Sequence, residues 1–232
     1  MKKIGIIGAM ELEVDTLKSK LTDRKTSTFA SMTFEEGKLN GVDVVVVRSG
    51  VGKVNAACCV QCLADRFGVT NVINTGVAGS LSANIDIGDI VVSTDAVQHD
   101  MDVAGLGYAP GIIPMMEESF FKADMKMISE AVASCNRTCP EISVFTGRVV
   151  SGDQFISSRE VKNRITEQFD GLCCEMEGAS IAQASYLNKL PFVVIRAISD
   201  KADDSAEMDY PTFERKAAEH SAKLVEDMVR NI

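Results

Sequence analysis

Short runs of Val and Ile recur along this chain, and most of them end in Gly, Ser or Asp. IGIIGAM (4–10), DVVVVRSG (43–50), NVINTG (71–76), DIVVSTDAV (89–97) and FVVIRAISD (192–200) are the clearest. Near-continuous β-branched runs without polar alternation predict strands buried on both faces. Stretches of helical periodicity separate them. Val14, Leu17 and Leu21 follow the first run, and a helix over 53–67, stopped by Gly68, follows the second. This alternation predicts an α/β fold with a mixed, mostly parallel central sheet flanked by helices. Asn40-Gly41 between β-prone runs predicts one hairpin. ISVFTGRVVSGD (142–153) reads as a further strand, and LCCEME (172–177) as a strand leading into a helix over 178–188. A last amphipathic helix is expected from Pro211, with proline at its first position. No repeat or linker interrupts the 232 residues, so a single domain spanning 1–232 is expected.

Charge and cysteine content narrow the classes of function. The net charge is −9 with no long basic run, which argues against a nucleic-acid partner, since phosphates must be met by cationic surface. Seven cysteines, an odd number without a framework pattern, indicate reduced thiols. The two histidines, His99 and His220, are far apart in sequence, so no metal site is expected. Glu11 and Glu13 cut short the first apolar run, so it is not read as a secretory signal. No stretch approaches the roughly 20 apolar residues of a membrane span. A cytoplasmic chain with no membrane partner is the expectation.

In open α/β sheets ligands bind beyond the carboxyl ends of the strands. The residues there are Met10 and Glu13, Val51, Val77, Ala78 and Gly79, Phe155, then Glu175, Met176 and Glu177, and lastly Ser199 and Asp200. Arg196 is the one cation near by, and neither a histidine nor a G-x-S-x-G elbow accompanies them. Cleavage of a glycosidic bond requires such a set: one protonated carboxyl for the leaving group and one ionised carboxylate for water. Each residue also has a plainer reading. Glu13 and Glu177 could be acids at helix N-termini, Asp200 a helix cap, and Phe155 core. The turn after the first strand reads GAMELE, which is neither a dinucleotide fingerprint nor a phosphate loop, and no cofactor is called for. The segment 100–120, DMDVAGLGYAPGIIPMMEESF, is long, apolar and aperiodic, which marks functional or interfacial loops.

These segments resemble the 5′-methylthioadenosine/S-adenosylhomocysteine nucleosidases of the nucleoside phosphorylase superfamily. The matching stretches are IGIIGAMELEV (4–14), SGVGKVNAA (49–57), NTGVAGSL (74–81), IGDIVVS (87–93), HDMDV (99–103), VSGDQFI (150–156), EMEGASIA (175–182) and PFVVIRAISDKAD (191–203). They run in order over nearly the whole chain. The resemblance implies hydrolysis to adenine and a 5-substituted ribose. It makes Glu13 the base that activates water, Asp200 the acid at N7 of adenine, and Glu177 the ligand of the ribose hydroxyls, with Glu175 and Met176 beside it. Phe155 would stack on the purine and the Ile156 backbone would read its edge. Ala78 and Gly79 would line the base and sugar pocket, and Ser199 and Arg196 would support Asp200 and the water. Met10 and Val51 would meet the 5′ substituent from one subunit, and Val103, Leu106, Tyr108 and Pro114 from a homodimer partner whose loop closes the pocket. Val77 stands where many members carry serine, so the water would be held without that hydroxyl. A phosphorylase of the same superfamily and a non-catalytic nucleoside-binding module are the alternatives.

Overall fold

The Val- and Ile-rich runs do become the buried strands. In the computed structural model, which describes residues 2–232, the elements are β1 (Ile4–Gly8), α1 (Asp15–Ser19), β2 (Thr22–Phe29), β3 (Met32–Leu39), β4 (Val42–Arg48), α2 (Lys53–Cys62), β5 (Asn71–Ser80), β6 (Ile90–Gln98), β7 (Phe121–Lys122), α3 (Met125–Thr138), β8 (Val144–Ser151), α4 (Arg159–Phe169), β9 (Cys173–Glu175), α5 (Gly178–Leu187), β10 (Phe192–Asp200) and α6 (Ala206–Met228). All ten strands belong to one mixed sheet with helices packed on it. β1 lies between β4 and β5, parallel to both. Every residue of β1 and β10 is buried.

Five strands close into a ring. β5 pairs with β10 in parallel, β10 with β6 antiparallel, β6 with β8 and β8 with β9 in parallel, and β9 returns antiparallel to β5. Two register irregularities help the strands bend, one between Ser93 and Asp95 and one between Ile198 and Asp200. A bulge kinks a strand and re-aims the side chain beyond it. The second bulge falls next to Asp200.

The hairpin at Asn40-Gly41 joins β3 and β4, with Leu39 opposite Val42 and Asn40 at φ 53°. α2 continues as a π-helical turn over Leu63–Phe67, and Gly68, in the left-handed region, ends it. Two features differ from the sequence expectation. β2, TDRKTSTF, is almost wholly exposed and polar, so no apolar pattern marks it; it forms by antiparallel pairing to β3. The last helix starts at Ala206 and holds Pro211 in its interior. The acidic stretch before Pro211 is therefore helical from residue 206. Its first turn is held by Ser205, whose carbonyl accepts from the Met208 and Asp209 N–H groups at 3.0 and 3.1 Å. Among the described residues no helix is long and apolar enough to cross a membrane.

Candidate active site

The ends of β1, β4, β5, β9 and β10 surround one cavity of about 240 Å³. Its lining includes Met10, Glu13, Val51, Val77, Ala78, Gly79, Phe155, Glu175, Met176, Glu177, Ser199 and Asp200, all of them expected from the sequence. A larger surface cleft, about 570 Å³, lies between Asp86, Glu141 and α6, but none of the strand-end carboxylates reaches it.

Glu13 ends a 3-10 turn that follows β1. One of its carboxylate oxygens accepts from the Met10 N–H at 2.9 Å and the other from the Val77 N–H at 3.1 Å. Burial raises its pKa, opposed by the charge of Arg196 and by the backbone donors. The close approach of Glu13 and Arg196 depends on Gly76. A Cβ there would lie 2.0 Å from Arg196 Nη1 and 2.5 Å from Glu13 Oε1.

Asp200 is buried at the end of β10, just past the bulge. Its Oδ1 accepts from the Ala202 N–H at 2.8 Å and its Oδ2 from the Ser199 hydroxyl at 2.9 Å. Burial drives its pKa up against those two bonds, with the charges of Asp209 and Asp203 adding to the rise. It caps no helix, since α6 begins six residues later.

Glu177 stands at the start of α5 and faces the start of α2. Its Oε1 accepts from the Gly52 N–H at 2.8 Å, and its Oε2 lies 3.8 Å from Arg196 Nη2. Gly52 caps α2 at φ 96°, a conformation that favours glycine. Burial first and the Glu175 charge second push the Glu177 carboxyl up to about 7, despite Arg196 and the Gly52 bond.

Two expected ligand contacts are occupied by the protein itself. Glu175 accepts from the N–H groups of Glu177 and Gly178, from the Ser151 hydroxyl and from Arg196, so both of its oxygens are engaged. Arg196, 1% exposed, also donates to Asn74 Oδ1 at 2.6 Å and does not line the cavity. Glu175 holds the backbone of Glu177 from behind, and Arg196 sets its charge beside Glu177 and Glu13. Sequence cannot separate a buried scaffold carboxylate from a ligand-facing one when they sit two residues apart. The Ile156 side chain is buried in a small cluster with Val150, Ile165 and Phe169, away from the lining.

The sequence reading missed Cys174 and Tyr210 as lining residues. Burial raises the Cys174 thiol pKa far above its ordinary value, so it offers an apolar wall and no nucleophile. Tyr210 donates to Met10 Sδ at 3.2 Å and meets the Phe155 ring edge-on at 5.7 Å. Its signal was a lone aromatic in an acidic stretch, which says nothing until α6 folds over the cavity. Val103, Leu106, Tyr108 and Pro114 do not line this chain's cavity, and Leu106 is 74% exposed. Among the described residues no group of three or more His, Cys, Asp or Glu is placed to hold a metal ion.

A mixed α/β sheet whose strand ends gather buried carboxyls around an apolar-walled cavity suits the handling of nucleosides, and the sequence profile of the Phosphorylase superfamily matches residues 3–230. A 5′-methylthioadenosine/S-adenosylhomocysteine nucleosidase of Exiguobacterium sp. is 42% identical over 96% of this chain and 95% of its own. The crystal structure of such a nucleosidase from Colwellia psychrerythraea, in complex with adenine, superposes with a TM-score of 0.95 at 41% identity, covering 99% of this chain and 95% of that one. The Neisseria meningitidis nucleosidase in complex with methylthio-immucillin-A gives a TM-score of 0.95 at 38% identity over 100% of both chains. The chain belongs to the 5′-methylthioadenosine/S-adenosylhomocysteine nucleosidase family of the phosphorylase superfamily.

Proposed function

We infer that the protein hydrolyses the N-glycosidic bond of 5′-methylthioadenosine and S-adenosylhomocysteine, releasing adenine and the 5-thio-substituted ribose. The observation that carries this reading is the trio of buried carboxyls on one cavity, Glu13, Glu177 and Asp200, each with its pKa raised by burial. Asp200, whose proton affinity burial raises, donates to N7 of the departing adenine. The glycosidic bond stretches and positive charge grows on the ribosyl carbon. Glu177 accepts hydrogen bonds from the ribose hydroxyls. Glu13, ionised, takes a proton from water as it adds to the anomeric carbon. Without a hydroxyl at Val77, that water is oriented by Glu13 and the charges behind it. Phe155 and Met176 wall the purine, and Met10, Val51 and Tyr210 wall the 5′ substituent.

Hydrolysis is favoured over phosphorolysis because neither Lys nor Arg lines the cavity, and a phosphate beside Glu13 would meet like charge. The decisive assay follows adenine release from methylthioadenosine with and without added phosphate. Equal rates are expected. A rate proportional to phosphate, or binding without adenine release, overturns the reading.

The loop 100–120 completes the site of a second copy in a homodimer. Leu106 at 74% exposure and Met115, fully exposed, are apolar surface without a partner in this chain, while Val51 and Phe155 leave the cavity half open. Leu106→Asp should shift the sedimentation of the protein toward monomer and raise KM for methylthioadenosine. A dimer unchanged by that substitution excludes Leu106 from the contact.

A further inference from the structure

Phe155 sits on the turn after β8, and that turn is fastened by three residues outside the cavity. Asp100 Oδ1 accepts from Lys53 Nζ at 2.6 Å, and its Oδ2 accepts from the Asp153 N–H at 3.0 Å. Asp153 Oδ1 in turn accepts from the Lys53 N–H at 2.8 Å. The three residues therefore form a closed triangle. Each comes from a different part of the chain: the end of β6, the first turn of α2 and the end of β8. Lys53 Nζ also donates to Gln98 Oε1 at 3.0 Å, so its charge is oriented by two acceptors. Lys53 and Asp100 are mostly buried, with side-chain exposures of 20% and 16%. An ion pair withdrawn that far from water is screened less than a surface pair.

The triangle touches the site at two points. Asp153 is two residues from Phe155, and no other side-chain hydrogen bond of residues 152–156 holds the turn among the described residues. Lys53 follows Gly52, whose N–H holds Glu177. One cluster thus sets both the aromatic wall and the tether of the sugar carboxylate. We propose that Lys53, Asp100 and Asp153 are positioning residues, which hold the Phe155 turn against the purine and the start of α2 against Glu177.

This inference rests on the nucleosidase reading, since it takes the ligand at Phe155 to be adenine. Its test is adenine affinity by calorimetry, together with KM and kcat for methylthioadenosine. Asp153→Ala should weaken adenine binding and raise KM about tenfold, with kcat within about threefold, because the wall moves while Asp200 and Glu13 stay. Asp153→Asn keeps an oxygen for the Lys53 N–H and should stay within about threefold of wild type. Lys53→Arg should likewise retain adenine affinity where Lys53→Met loses it. In a Phe155→Ala background, Asp153→Ala should weaken adenine affinity by less than about a further twofold, since free adenine meets the wall and not the sugar carboxylate. Full additivity of the two, or unchanged adenine affinity in Asp153→Ala, overturns the proposal. A wild-type protein that neither binds adenine nor releases it overturns the nucleosidase reading itself, and the proposal falls with it.

Discussion

Glu177→Gln should make this protein more stable above neutral pH while crippling it. In the folded chain the Glu177 carboxyl rises from an ordinary 4.5 to about 7, chiefly through burial and the Glu175 charge. The folded state therefore binds the proton more tightly than the unfolded chain does. Between pH 4.5 and about 7 the folded form holds more protons, so stability falls as pH rises through that window. At about 1.4 kcal/mol per pH unit, the ionised carboxylate costs about 3 kcal/mol at pH 8. At pH 5 most of the cost is absent, leaving about 1 kcal/mol. Glutamine mimics the protonated acid and can still accept from the Gly52 N–H. The variant should thus gain up to about 3 kcal/mol at pH 8, or roughly 6–12 °C in Tm for a chain of this length, and about 1 kcal/mol at pH 5. Urea unfolding of both proteins at the two pH values measures this. An equal difference at pH 5 and pH 8, or a wild type more stable at pH 8, refutes the argument that burial and Glu175 raise this group.

Asp200→Asn should lower kcat by about 10²–10⁴ with adenine still bound, as loss of a general acid does; wild-type turnover would remove Asp200 from the mechanism. Glu13→Gln should fall in the same range, and its amide can satisfy only one of the Met10 and Val77 N–H donors as an acceptor. The pH profile of kcat/KM should be bell-shaped. It falls on the acid side as Glu13 takes up a proton and on the alkaline side as Asp200 loses one, and both limbs lie above ordinary carboxyl values because burial raises both groups. In Asp200→Asn the alkaline limb should vanish. Gly76→Ala should cost about 1–3 kcal/mol by overpacking and depress activity, since its Cβ lands between Glu13 and Arg196; a fully active, equally stable variant contradicts the close packing described.

Which strands are buried was legible in the linear order of residues, because a run such as FVVIRAISD has no solvent face in any fold. The hairpin at Asn40-Gly41 and the stop at Gly68 were equally local, each set by a residue that accepts positive φ. The strand-end carboxylates were legible for a similar reason, since they follow those runs directly. Their jobs were not. Glu175 and Glu177 differ by two positions and both border the cavity, yet one has both oxygens engaged by protein donors and the other only one. Only the register of β9 against β5 and β8, and the path of Arg196 beneath them, decides which is which. The closure of five strands into a ring, the pairing that makes polar β2 a strand, and the placing of Tyr210 over the site depend on contacts between segments far apart in sequence. Burial is what raises Glu13, Glu177 and Asp200, and burial belongs to the folded chain. The sequence by itself determined which acids stand at the strand ends; the tertiary structure decided which of them lose their water and so acquire the proton affinities that the chemistry needs.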